Sequence, residues 1–133
     1  MSLTRIFSIS ATALSAQSQR LNVVASNLAN ADAVAGPDGA PYKARQVVFQ
    51  AQQPASGVSG VRVTGIVEDN APARRNFDPK HPLADAQGYV TQSNVNVVEE
   101  MVNMISASRS YQNNVEVMNT TQQLLMKTLQ IGQ

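Results

Sequence analysis

The chain has 133 residues and a formal net charge of +1 at pH 7, ten Lys and Arg standing against nine Asp and Glu. No basic run exceeds Arg74-Arg75, which argues against nucleic-acid binding or reading of an anionic membrane, since both need a clustered basic surface. There is no cysteine, which removes disulfides, thiolate chemistry and cysteine-based metal sites and suits a chain that passes between redox compartments.

The first stretch carries Arg5 followed by a broken apolar run in which Ser8, Ser10 and Thr12 interrupt any signal-peptide core. A secretory signal needs a continuous apolar segment, so none is expected here, and no stretch approaches the roughly 18 apolar residues of a membrane span. Direct membrane insertion is therefore not expected. Instead, apolar residues recur at helical spacing over 3–31: Leu3, Phe7, Leu14, Leu21, Val24, Leu28 and Ala31. Phe7, Leu14, Leu21 and Leu28 stand seven apart, a heptad seam on a helix of about 40 Å. Ser10 and Gln17 occupy the companion track, where a self-sufficient coiled coil places Leu, Ile or Val.

Between residues 32 and 95 the pattern changes. Gly36-Pro37-Asp38-Gly39 and Pro41 break helix, and Gln46-Val47-Val48-Phe49 and Val61-Arg62-Val63-Thr64-Gly65-Ile66-Val67 have the β-branched character of short strands. Gln53-Pro54-Ala55-Ser56-Gly57 reads as a flexible loop. A turn at Asp78-Pro79-Lys80-His81-Pro82 leads to Gly88-Tyr89-Val90, a third candidate strand.

The last segment repeats the first design. Met101, Met104, Tyr111, Val115, Met118, Leu125 and Leu129 share helical spacing, with Met104, Tyr111, Met118 and Leu125 seven apart and Ser108 and Gln122 as polar gaps. Asn96 is the expected N-cap, Glu99 completes a capping-box spacing, and Glu99 with Glu100 complements the positive end of the helix dipole. Lys127 suits the negative end, and Gly132 offers a left-handed closing residue.

These elements predict a mainly α chain, two long terminal helices packed as a coiled-coil-like hairpin with a small irregular β-containing insert. The divisions are 1–31, 32–95 and 96–133. Few charges flank either helical seam; Ser, Thr, Asn, Gln and Ala dominate, and such side chains are far easier to surround with neighbours than ionised ones. That composition points to an assembly, although an ordinary antiparallel hairpin with a polar outer face shares the periodicity.

Catalytic chemistry is hardly represented. His81, the one histidine, lies in a turn between Lys80 and Pro82. Ser93 or Ser56 with His81 and Asp85 lacks a nucleophile-elbow sequence, and adjacent Glu99 and Glu100 point in different directions on a helix, which suits a dipole role better than paired-carboxylate catalysis. No phosphate loop, dinucleotide fingerprint, EF-hand loop or zinc-ligand spacing occurs. No cofactor, metal or enzymatic activity is expected. The methionines of the last segment fit packing or an adaptable groove.

Two stretches carry a resemblance. Ala25-Ser26-Asn27-Leu28-Ala29-Asn30-Ala31 resembles the amino-terminal signature of flagellar rod and hook proteins, and Asn94-Val95-Asn96-Val97-Val98-Glu99-Glu100-Met101-Val102-Asn103-Met104-Ile105, followed by Ala107-Ser108-Arg109-Ser110-Tyr111-Gln112, resembles their shared terminal helix. Tyr42-Lys43-Ala44-Arg45-Gln46-Val47-Val48-Phe49, Asn76-Phe77-Asp78-Pro79 and Pro82-Leu83-Ala84-Asp85-Ala86-Gln87-Gly88-Tyr89-Val90 are similar to proximal-rod members in particular.

The resemblance implies a non-enzymatic subunit of the flagellar basal-body rod, exported through the flagellar type III apparatus without a cleaved signal. Its two terminal segments would be axial helices stacked helically in a periplasmic shaft that carries torque from motor to hook. The implied partners are other copies of the chain, the rod proteins FlgB, FlgF and FlgG, the adaptor FliE and the export apparatus. Phe7, Leu14, Leu21, Leu28, Met104, Tyr111, Met118 and Leu125 are expected to form the packing seam within and between subunits. Asn27 and Asn30 match the family signature and would cap the first helix or brace it against a neighbour. A cytoplasmic helical adaptor is the competing reading, with more charged outer faces expected for it.

Overall fold

The structure is a computed structural model that describes residues 2–36, 39–53, 57 and 59–132. Helix α1 spans Leu3–Ala29 and helix α2 spans Val97–Ile131. Between them lie β1 (Arg45–Gln52), β2 (Gly60–Glu68), β3 (Arg74–Phe77) and β4 (Tyr89–Gln92).

The helix starts follow from side-chain capping. The Ser2 hydroxyl accepts from Arg5 N–H at 3.3 Å, and Asn96 Oδ1 accepts from Val98 and Glu99 N–H at 3.1 and 3.3 Å, satisfying donors that a first turn leaves free. Glu99 returns no bond to Asn96 among the described residues, so the cap is one-sided. At the far end of α2, Gly132 keeps a right-handed φ of −75° and its N–H simply continues to Thr128 O. The expectation of a left-handed glycine there is corrected, because a last turn that keeps helical bonding needs no reversal of the chain.

The insert forms two separate two-stranded antiparallel sheets, β1 with β2 and β3 with β4. Val47 pairs with Ile66 and Ala51 with Val61, with a bulge between Val48 and Phe49. The second pair aligns Arg74 with Gln92 and Phe77 with Tyr89. Strand β3 was not expected, since Arg74-Arg75-Asn76-Phe77 lacks β-branched residues; cross-strand contacts hold it in place. The Phe77 and Tyr89 rings meet edge to face with centroids 5.2 Å apart, and the Arg75 guanidinium lies 4.8 Å from the Tyr89 ring centre. Gly88 takes φ +85°, and a Cβ there would lie 2.9 Å from Phe77 Cε2, so the turn into β4 requires glycine.

The helices run side by side in opposite directions: Ala31, just beyond α1, packs with Val95, just before α2, and with Ala44 in a small buried cluster that Tyr42 flanks. Arg20 reaches Asn103 across the helix pair, Nη2 to Oδ1 at 3.5 Å. Gln53-Pro54-Ala55-Ser56-Gly57, read as a loop, and the turn around Pro37-Asp38 fall partly outside the described residues.

Candidate functional site

Two surfaces of the helix pair and one polar junction hold the molecule's distinctive geometry. Within the pair, the deepest positions are mostly small or polar. On α1 they are Ser10 and Val24, and on α2 Glu100, Ala107 and Thr121, each nearly inaccessible, while the equally buried Ala16 lies on the hairpin side of α1 beside Val61 and Val63. Ser10, Gln17, Val24 and Ala31 stand seven apart, as do Glu100, Ala107, Asn114 and Thr121. The polar gap of α1 is therefore the buried track itself. On α2 the track lies one residue earlier than the gap read from sequence: Thr121 is buried and Gln122 exposed, because Ala107 and Thr121 permit a closer approach than the flanking longer side chains.

The apolar residues expected to form the packing seam are placed around this track. Leu14, Leu21, Leu28, Met104, Met118 and Leu125 are half-buried, whereas Phe7 and Tyr111 are 39% and 37% exposed. They line the margin of the intrachain contact and stay accessible to a further neighbour. Two oxygens inside the contact, Gln17 Oε1 and Glu100 Oε2, are buried with no hydrogen-bond partner among the described residues. An unsatisfied buried polar group costs about 1–3 kcal/mol, so the isolated helix pair carries a built-in weakness.

The opposite side of α2 is apolar too. Val98, Met101, Val102 and Ile105 follow the i, i+3, i+4, i+7 spacing of a helical face, and they are 70, 54, 60 and 57% exposed. Val98 and Glu100, like Ile105 and Ala107, are two positions apart, an offset of about 200° around a helix of 3.6 residues per turn. The stripe thus faces away from α1. Farther along, Val117, Leu124 and Ile131, seven apart, are likewise exposed. A helix apolar on two sides has one side for its own chain and another for a neighbour. The first stripe was legible in the sequence; the heptad of Met104, Tyr111, Met118 and Leu125 drew attention away from it.

The junction ties the insert to both helix ends. Asn27 is fully buried; its Nδ2 donates to Arg45 O at 2.8 Å, and its Oδ1 accepts from Arg45 N–H at 3.0 Å and from the Tyr42 hydroxyl at 2.9 Å. Asn94 does the same on the other side: its Oδ1 accepts from Ala44 N–H at 2.7 Å and its Nδ2 donates to Asp69 O and Ala71 O at 2.9 and 3.0 Å. Ala31 O accepts from the buried Ser93 hydroxyl at 2.6 Å and from Arg74 Nη2 at 2.7 Å. Asn30 caps its own helix, Nδ2 donating to Ser26 O at 2.8 Å. Asn27 braces the insert rather than the helix end. The sequence pointed to no such role for Asn94 or Arg74 and drew attention to Ser93 only as a conceivable nucleophile, because the partners of all three lie far away along the chain.

The residues weighed for catalysis are engaged in turns. His81 Nδ1 accepts from Leu83 N–H at 3.0 Å, and Ser93 is spent on Ala31 O. The Asp85 carboxylate accepts from Gln87 and Tyr89 N–H, both at 2.9 Å, and from Arg75 Nη2 at 2.7 Å. The Tyr89 N–H is the main influence holding its pKa below the ordinary aspartate value, with Gln87 N–H and Arg75 adding to it against a contrary contribution from burial. Ser56 lies outside the described residues. Among the described residues no helix is long and apolar enough to cross a membrane.

Comparison with known proteins agrees with this geometry. Residues 7–37 match the family described as flagella basal body rod protein, and residues 86–131 match the flagellar basal body rod FlgEFG protein C-terminal family. Over the full length of both chains the sequence is 65% identical to the flagellar basal-body rod protein FlgC of Yersinia enterocolitica. It is 57% identical, again over the full length of both, to FlgC of Salmonella typhimurium and 48% identical to FlgC of Buchnera aphidicola from Schizaphis graminum. The chain belongs to the flagellar basal-body rod protein family, in its FlgC group, as a structural subunit of the basal body and not an enzyme.

Proposed function

We propose that the chain is a subunit of the proximal rod, exported by the flagellar type III apparatus and stacked helically into a periplasmic shaft that carries torque from motor to hook. The observation that carries this reading is the exposed stripe of Val98, Met101, Val102 and Ile105, which faces away from the intrachain contact and calls for an apolar neighbour. In the stack, Phe7, Leu14, Leu21, Leu28, Met104, Tyr111, Met118 and Leu125 complete a coiled-coil-like packing within and between subunits, and the segments 1–31 and 96–133 act as axial helices flanking the insert 32–95. The neighbours are copies of the chain and the rod proteins FlgB, FlgF and FlgG, with FliE as the adaptor at the base. The mechanism is stiffness, since closely packed interfaces repeated along an axis resist twist.

Val102→Asp tests this directly. The side chain is 60% exposed in the free chain, so helix content by circular dichroism should stay unchanged while flagellation and swimming are lost. Normal swimming with Val102→Asp would count against the reading.

A further inference from the structure

Arg109 and Glu116 stand seven positions apart on α2, and both are exposed. Arg109 follows Ala107, and Glu116 follows Asn114, by two positions, about 200° around the helix from the buried track. Both therefore lie on the side turned away from α1. Neither has an ionic partner among the described residues, where the ion pairs are Arg74 with Asp32 and Arg75 with Asp85. Nor can they serve each other. Side chains meet along a helix at three and four positions, which for both residues leads inward to Gln112 and Asn113, and a separation of seven positions spans about 10.5 Å.

The apolar residues beside these charges repeat at the same interval. Val98 and Ile105 stand seven apart ahead of them, and Val117, Leu124 and Ile131 stand seven apart on the flank beyond; all five are exposed. A helix side whose apolar residues recur every seven positions, and whose opposite charges are separated by the same seven, is complementary to itself after a shift of two turns.

We propose that this side of α2 packs along α2 of a second copy of the chain, parallel and displaced by about two helical turns, with Arg109 of one copy paired to Glu116 of the other. The proposal rests on the rod-subunit reading above and adds the register in which copies meet. In it, Val98 of one copy lies against Ile105 of the other, Val117 against Leu124, and Leu124 against Ile131. Lys127, the remaining charge on this side, falls opposite Thr120 and meets no like charge. A parallel contact without the shift would oppose Arg109 to Arg109 and Glu116 to Glu116. An antiparallel contact that joined Arg109 to Glu116 would set Val102 against Gln123 and Val98 against Lys127, and the apolar matches would be lost. The shifted contact also leaves one Arg109 and one Glu116 free for further copies, and head-to-tail contacts of that kind build open stacks in place of closed pairs. An exposed ion pair adds little affinity by itself. Its role here is selection, because the competing registers bring like charges together or lay charge on apolar surface.

Charge exchange in cells making the full chain tests the pairing. Arg109→Glu and Glu116→Arg should each leave helix content unchanged, since both side chains are exposed, and should each reduce swimming to about a fifth of the parental rate or less. Arg109→Glu/Glu116→Arg together restore the opposite signs and should recover at least about half of the parental rate. Single variants that swim at the parental rate, or a double variant no better than either single one, would overturn the pairing.

A disulfide test reads the contact itself. Arg109→Cys/Glu116→Cys places two thiols in a chain that has none, and the two are too far apart on one helix to bridge, since a disulfide needs Cα atoms within about 7 Å. Mild oxidation of basal bodies holding this variant should give interchain dimers and higher bands, and Arg109→Cys alone should give monomer. Double-cysteine chains that stay monomeric there would overturn the pairing alone. A parental chain absent from isolated basal bodies would sink the rod reading and the pairing with it.

Discussion

Asn27 holds Arg45 by both polar groups of its backbone, donating to the carbonyl at 2.8 Å and accepting from the N–H at 3.0 Å. A residue of the last turn of α1 thereby sets where the first strand begins. Asn27→Ala should destabilise the chain by about 1–3 kcal/mol, because the Arg45 N–H and carbonyl and the Tyr42 hydroxyl lose their buried partner. Asn27→Asp keeps the acceptor but turns an anionic oxygen toward the Arg45 carbonyl, and should be no better than alanine. Midpoints of urea unfolding at unchanged slope would measure both.

Ala107, with no accessible surface, lies on the buried track of α2. Ala107→Leu adds volume that neither helix can absorb, and should cost about 1–3 kcal/mol. The same change at Ser106, on the exposed side of α2, should cost little. Thermal melts of the two variants, run side by side, give the comparison.

Gln17→Met replaces a half-buried side chain, whose Oε1 is buried with no partner among the described residues, with an apolar one of similar length. The free chain should gain about 1 kcal/mol or more, since removing an unsatisfied polar group recovers its desolvation cost. A loss of stability, read from the unfolding midpoint, would mean that the amide is satisfied in solution.

Asp85 gives a dependence on pH with a definite sign. Its folded-state pKa lies below its unfolded value, chiefly through the Tyr89 N–H. The unfolded chain then binds more protons across the interval between the two. The contribution is fully present above the unfolded aspartate pKa and is lost as pH falls through the folded one. Asp85→Asn should therefore differ from the parent in melting temperature at neutral pH, with the gap narrowing as the solution is acidified through that interval.

Leu21 lies at the margin of the helix contact and is half-buried. Leu21→Asp should abolish swimming while the level of unassembled chain, followed by immunoblot, stays roughly constant. Swimming at the parental rate would count heavily against the role of this track in assembly.

Much of the architecture was legible in the sequence because long helices declare themselves through periodicity, and Leu3–Ala29 and Val97–Ile131 fall within about two residues of the expected limits. What periodicity does not reveal is which side of a many-sided helix meets its own chain. The heptad of Phe7, Leu14, Leu21 and Leu28 is the more apolar track, yet Ser10 and Val24 are the deeper positions, because the distance between two helices is set by the smallest side chains on the facing track and not by the greasiest. Strand β3 was invisible for a related reason. Its stability comes from Tyr89 and Ser93, partners beyond the reach of any local window. Asn27 stood out only through family resemblance; nothing in its neighbours announces that its amide is directed at a strand 18 positions away.

The small-residue contact between the helices also bears on how the molecule deforms. With Ser10 on one side and Ala107 and Thr121 on the other, little pliant side-chain material is interposed between the two backbones at these positions. Bending the pair must slide one backbone along the other, a motion that the shared anchor at Ala31 O, where Ser93 and Arg74 converge, resists at one end. The hairpin then flexes as one composite beam and not as two independent rods laid together, and a composite beam is stiffer than the sum of its members.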